Sequence, residues 1–250
     1  MKEQPIVKRY FMELGYDGSS FSGWQIQPNG ITVQESIEKA MSTIAQKPVS
    51  IVGAGRTDAG VHAARMVVHF DFEGDTLPFD AHKINRLLPR TITIYRIYEV
   101  ATDAHARFDA VERTYHYRIH FNRDPFLRHF STFVHHPLDI EAMNRAALFL
   151  LGKQDFTSFS KLHTDVKTNI CTVKRAEWVR EEGEGYRFEI TADRFLRDMV
   201  RAIVGTLFLI GRGKMAPEGI RNILEQKDRS AAGMSAPAEG LSLVDVKYNF

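Results

Sequence analysis

The sequence predicts an α+β protein of two ferredoxin-like lobes with mainly antiparallel sheet and an active site in the cleft between them. Three observations carry that reading. Apolar periodicity over the first hundred residues runs strand, helix, strand, strand, helix, strand; a similar order returns afterwards; and no glycine fingerprint of a doubly wound nucleotide fold is present. The lobes are expected at residues 1–104 and 105–250, and a cleft between lobes is the default place for a site.

Residues 7–14 alternate well enough for a strand, and Thr32-Val33-Gln34-Glu35 forms a capping box ahead of Ile37, Ala40, Met41 and Ile44, an apolar stripe at helical spacing. Residues 49–52 and 66–72 read as strands flanking a glycine-rich loop, 79–88 as a short helix ended by Pro89, and 91–100 as a β-branched and aromatic strand. In the second lobe, residues 113–121 read as a strand and Asp139 caps a helix running to Leu151 and Gly152. A hairpin of 172–180 and 186–191 turns around Glu182-Gly183-Glu184-Gly185, and a helix spans 194–210 up to Gly211. Pro217 opens a further helix, and 241–248 closes as a strand. The longest irregular connection is 122–136, with Arg123, Arg128, His129 and His135-His136.

With 250 residues, 44% hydrophobic and 26% charged, the chain has material for a proper core and is neither disordered nor disulfide-stapled. The single cysteine, Cys171, has no internal partner; it reads as a packing residue and fits a reducing compartment. Met1-Lys2-Glu3-Gln4-Pro5 lacks an apolar signal core, and the longest apolar stretch, 202–210, is too short to span a bilayer, so the expected location is the cytoplasm. A net charge of +2 does not announce a nucleic-acid binder, but the charge is uneven. Arg194, Arg197 and Arg201 fall at i, i+3 and i+7 of the expected helix, as on a solvated face or a phosphate-contacting edge.

The run Gly53-Ala54-Gly55-Arg56-Thr57-Asp58-Ala59-Gly60-Val61-His62-Ala63 carries the most information. It holds one acid in a loop of glycine and alanine, where backbone can be approached closely, with Arg56 ready to pair with an anion. An Asx turn is the ordinary use of such an aspartate. As chemistry, Asp58 is a nucleophile or general base provided a nearby cation keeps it ionised, and Arg201 is a candidate for that cation. Tyr115 and Tyr117 share a strand face, where a ring either stacks on a base or lies at the core edge with its hydroxyl in water.

Other chemistries lack their patterns. The glycines at 53, 55 and 60 are not GxGxxG, no GK[ST] follows, and there is no HExxH, Cys pair or GxSxG. His116 and His120 lie in an expected strand and His135-His136 has no third ligand at a known spacing, so no metal is expected. A carboxylate hydrolase would want a second acid, and Asp17, Asp103 and Glu239 sit in no such motif. A non-catalytic RNA-binding protein remains compatible with an aromatic-bearing sheet.

Taken in order, the motifs resemble the tRNA pseudouridine synthase A family of pseudouridine synthases. Gly53 to Ala63 resembles its catalytic motif; Phe21-Ser22-Gly23-Trp24-Gln25 with Thr32-Val33-Gln34 resembles its N-terminal signature. His105-Ala106-Arg107-Phe108 with Arg113-Thr114-Tyr115-His116-Tyr117 resembles the segment of the active-site tyrosine. Phe195-Leu196-Arg197-Asp198-Met199-Val200-Arg201-Ala202-Ile203-Val204-Gly205 and Ala236-Pro237-Ala238-Glu239-Gly240-Leu241 resemble the last two motifs. The resemblance implies that Asp58 is the catalytic aspartate, that Arg201 pairs with it, that Tyr115 contacts the flipped uracil and Leu241 packs on it, and that Arg56 holds phosphate. It further implies isomerisation of uridine to pseudouridine at tRNA positions 38, 39 and 40 in the anticodon stem-loop, without cofactor or metal, by a homodimer that needs no membrane. Two positions depart from the family pattern: Gln154, where histidine is commoner, and Cys171, where many members have arginine.

Overall fold

A computed structural model describes residues 6–74, 76–161, 168–181, 183 and 185–250. Its strands are β1 (Val7–Tyr16), β2 (Val52–Gly53), β3 (His62–Glu73), β4 (Ile92–Val100), β5 (Glu112–His120), β6 (Thr132–Phe133), β7 (Gly152–Asp155), β8 (Ile170–Arg180), β9 (Gly185–Ala192) and β10 (Leu241–Lys247). Its helices are α1 (Val33–Ala45), α2 (Ala81–Asn85), α3 (Ile140–Ala147), α4 (Met199–Gly211) and α5 (Gly219–Gln226). The chain divides into two compact units, Met1–Val111 with Leu243–Phe250, and Glu112–Ser242.

The first unit has the expected βαββαβ order. Its strands run β4-β1-β3-β10, with β2 paired to β3. β1 is antiparallel to both neighbours, Phe11 standing opposite His69 on β3 and Tyr98 on β4. From Tyr10 to Tyr16 the strand is buried on both faces, where sequence alternation suggested one. Tyr10 stacks on Phe70 on one side, while on the other Tyr98, Tyr248 and Phe250 bring their rings within 5.2–6.1 Å of Phe11. The N-cap of the box forms: Thr32 accepts from the Glu35 amide, and α1 buries Val33, Ile37, Ala40 and Met41. Asp80 caps α2 through the Lys83 amide at 2.8 Å.

Residues 243–250, assigned by sequence to the second lobe, group with the first unit. The Val111 amide donates to Lys247 O at 2.8 Å, the Tyr248 hydroxyl to Ala106 O at 2.6 Å, and Arg65 pairs with Asp245 at 2.6 Å.

The second unit orders its strands β5-β9-β8-β7, all neighbours antiparallel, with the two-residue β6 parallel to β5. Neither β6 nor β7 is evident in the sequence. Asp139 caps α3 as expected, accepting from the Ala142 amide at 2.8 Å, but the helix stops at Ala147. A 3-10 turn over Leu148–Leu150 follows, and Gly152, at φ +91°, redirects the chain into β7. β7 places Gln154 opposite Cys171 of β8, so the two departures from the family pattern are cross-strand partners. Gln154 donates to Phe149 O and Leu151 O, and burial pushes the Cys171 thiol up to about 12. Of the hairpin turn between β8 and β9, residues 182 and 184 lie outside the described residues.

The helix expected from residue 194 begins at Met199. Asp198 sits at φ +65°, a left-handed conformation that a continuing α-helix excludes, so Arg194 and Arg197 precede the helix and share no helical face with Arg201. α4 is apolar almost all round, as a helix enclosed in a core must be. Its Phe208 meets the rings of Tyr117 and Trp178, and Trp178 in turn meets Phe188. Among the described residues, no helix is long and apolar enough to cross a membrane.

Candidate active site

Asp58 stands at the first position of a tight turn. The Val61 amide donates to Asp58 O at 3.1 Å, and Gly60 holds φ +78°, the left-handed third position that a type II turn requires. Asp58 is half-buried and Arg56 exposed. Around them the backbone is held from several directions. The Trp24 amide donates to Thr57 O at 3.1 Å, the Gly60 amide to Phe21 O at 3.3 Å and the Ala54 amide to Val67 O at 2.8 Å. Thr57 Oγ1 lies 2.8 Å from the buried Tyr16 hydroxyl, and the Tyr16 ring stacks on Trp24 at 6.0 Å.

Glycine is needed here for close approach. A Cβ on Gly23, already at φ +98°, would fall 2.7 Å from Thr57 O, and one on Gly53 would meet the Trp24 ring at 2.9 Å. The Phe21 to Gln25 motif is therefore the cradle of the Asp58 loop, a role that sequence reasoning missed although Gly23 and Trp24 stood in a quoted motif. His62, just beyond, is buried and accepts the Gly18 amide on Nδ1 at 3.0 Å.

The other candidates belong to the second unit. Tyr115, 9% exposed on β5, meets Phe195 edge to face at 5.1 Å. Its neighbour two residues on, Tyr117, is wholly buried rather than edge-placed. The Tyr117 hydroxyl donates to Pro237 O at 2.9 Å and lies 2.8 Å from Thr132 Oγ1, and burial raises its pKa well above the ordinary range for tyrosine. A Cβ on Gly240 would fall 2.7 Å from that ring, so residues 237–240 lie flat against Tyr117 and lead into Leu241, itself buried.

Arg201, largely buried on α4, donates from Nε to Ala236 O at 2.8 Å and accepts the Ala236 amide on its own carbonyl at 2.9 Å. Its Nη1 lies 3.4 Å from Asp198 Oδ1. Asp198 in turn accepts from the Ser235 hydroxyl and lies 3.8 Å from Arg229. The left-handed residue that delays α4 is thus also an anchor of the arginine. Gly205 permits this, because a Cβ there would collide with Met234 O at 1.7 Å. Nothing in the sequence linked Ser235 or Arg229 to Arg201.

The first unit thus offers a carboxylate on a closely held backbone two residues from an exposed arginine, and the second a buried tyrosine, a buried leucine and a held arginine. Comparison with known proteins gives this a family. The family model described as tRNA pseudouridine synthase matches residues 146–249. The tRNA pseudouridine synthase A of Bacteroides fragilis is 56% identical over 244 residues, covering 97% of each chain. That of Porphyromonas gingivalis is 54% identical over 247 residues (97% of this chain, 98% of the relative), and that of Exiguobacterium sibiricum 40% over 243 (97% of each). At this identity and over nearly full length on both sides, the chain belongs to the tRNA pseudouridine synthase A family.

Proposed function

We propose that this isomerase converts uridine to pseudouridine at positions 38, 39 and 40 of the tRNA anticodon stem-loop, with Asp58 as nucleophile or base. It works in the cytoplasm as a homodimer, as the family resemblance implies. The observation that carries the role of Asp58 is its mount: a glycine-closed turn held by Trp24, Phe21 and Tyr16. A carboxylate on so constrained a backbone is positioned before substrate arrives, which is where electrostatic and nucleophilic catalysis gain most.

The chemistry needs no cofactor, because the bonds balance within one nucleotide. The C1′–N1 bond breaks, the uracil turns, C5 bonds to C1′, the C5 hydrogen leaves as a proton and N1 gains one. Cleavage leaves an electron-poor sugar, which Asp58 stabilises by attack at C1′ or relieves by removing the C2′ proton. Arg201 serves as the cation that pairs with the carboxylate, as the family resemblance implies. Extruding the base costs a few kcal/mol, and Tyr115 and Leu241 act as the aromatic and aliphatic walls that retain the uracil after detachment. Arg56 contacts phosphate.

Position-resolved chemical mapping of pseudouridine in an unmodified tRNA with uridines at 38, 39 and 40 tests the assignment. Product is expected at those positions alone. Product confined to other uridines would overturn the positional assignment while leaving the isomerase intact.

A further inference from the structure

The segment joining β4 to β5 displays an aromatic ring that the assigned site does not use. Phe108 is 74% exposed, yet it is pinned. Its ring packs on His105 at a centroid distance of 4.2 Å, and His105 packs edge-on against buried His69 at 4.5 Å. His105 Nδ1 accepts the backbone amides of both Arg107 and Phe108, at 3.1 and 3.2 Å, so the imidazole closes the turn that carries the ring.

The mount is tied to other parts of the first unit, to which it belongs. The Ala106 amide donates to His69 Nδ1 at 3.2 Å, Ala106 O accepts from the Tyr248 hydroxyl at 2.6 Å, and Ala104 O accepts from Arg9 at 3.0 Å. The His105 amide donates to Asp109 Oδ2 at 2.6 Å. The exposed Arg107 guanidinium lies 5.8 Å from the Phe108 ring centroid.

A lone exposed phenylalanine is ordinary and needs no explanation. Here a chain of two ring contacts, tilted from Phe108 to His105 and edge-on from His105 to His69, and a set of backbone hydrogen bonds hold the exposed ring in place with a cation over it. A protein partner would require a contiguous apolar patch, whereas the flanking exposed residues are Ala101, Thr102, Asp103 and Asp109. A nucleobase needs only one ring face, and its phosphate one cation.

We propose that Phe108 and Arg107 form an RNA-contact platform: the Phe108 ring stacks on an unpaired base of the substrate tRNA and Arg107 contacts a neighbouring phosphate. This rests on the functional reading above for its ligand and assigns two residues that reading leaves without a task. Both act in positioning the substrate.

The test is equilibrium binding of an unmodified tRNA transcript at several salt concentrations to wild type, Phe108→Ala, Phe108→Leu, Phe108→Tyr and Arg107→Gln, with thermal melting to confirm that each variant folds. Phe108→Ala weakens binding about 5- to 150-fold, the range for loss of one aromatic–base stack. Phe108→Tyr binds like wild type, and Phe108→Leu stays with alanine because area without a π-face does not restore a stack. Arg107→Gln reduces the slope of log K against log salt by about 0.7 to 0.9, the release of one phosphate contact. Unchanged affinity in Phe108→Ala, or full rescue by leucine, overturns the platform. So does a change in oligomeric state without a change in tRNA affinity, which would assign the ring to a contact between copies. Pseudouridine formation by wild type is scored in parallel. Its absence counts against the functional reading, while the affinities still judge the platform.

Discussion

The hydroxyl of Tyr16 lies 2.8 Å from Oγ1 of Thr57, the residue immediately before Asp58, and both side chains are buried. A strand and a loop 41 positions apart are thereby joined one residue from the carboxylate. Thr57→Val keeps the shape and removes the polar partner, at an expected cost of about 1–3 kcal/mol in urea denaturation for a buried hydroxyl losing that bond. Single-turnover pseudouridine formation should slow as well, and a cycle with Tyr16→Phe should show coupling. Additive effects across that cycle would mean the bond does not hold the loop.

The glycines of the loop and of its cradle are not equivalent. Gly23→Ala places a methyl 2.7 Å from Thr57 O on a backbone at φ +98°, whereas a Cβ on Gly55 meets nothing within 4 Å. The first should lower stability by about 1–3 kcal/mol and impair turnover; the second should stay within about 0.5 kcal/mol of wild type. Equal thermal shifts in the two variants would contradict the cradle.

Arg201→Lys retains the charge but loses the Nε donor to Ala236 O and the planar fork. Activity should fall by at least about tenfold with only a modest change in melting temperature. Near-normal turnover would remove Arg201 from the mechanism.

Burial, helped by the charges of His105 and Arg9, pulls the His69 ring down to about 4, and its Nδ1 accepts the Ala106 amide only when unprotonated. The unfolded chain takes up that proton near 6.5, the ordinary value, while the folded chain does not. Stability contributed by this ring is therefore complete above about pH 6.5, is lost as pH falls toward about 4 and changes no further below it, with a slope of at most about 1.4 kcal/mol per pH unit. His116, lowered to about 4 by burial and then by Arg187, adds to the same window from the second unit. Titration of the His69 ring by NMR should find it neutral at pH 5, and a midpoint near 6.5 would refute the assignment.

Elements with local chemical signals were legible before the structure. The Thr32 cap, the Asp139 cap and the apolar stripe of α1 each depend on residues within one or two turns, and all formed. β6 and β7 escaped because strands of two and four residues are held by partners far away in sequence and carry no period of their own. The late start of α4 escaped because a left-handed aspartate leaves no trace in composition. At the site, the Asp58 loop was visible from its glycines and single acid. Its supports, Tyr16 and Trp24, were not, because hydrogen bonds between residues distant in sequence have no sequence period. Arg201 was named early, but its anchoring by Ala236, Asp198 and Ser235 emerges only from the fold.

The most direct measurement compares wild type with Asp58→Asn, in excess EDTA, on an unmodified tRNA carrying uridines at positions 38 to 40 and labelled with tritium at C5. Release of tritium and chemically mapped pseudouridine from the wild type alone is the predicted result, with tRNA affinity retained in the variant. Product from both proteins at comparable rates would contradict the central role of Asp58.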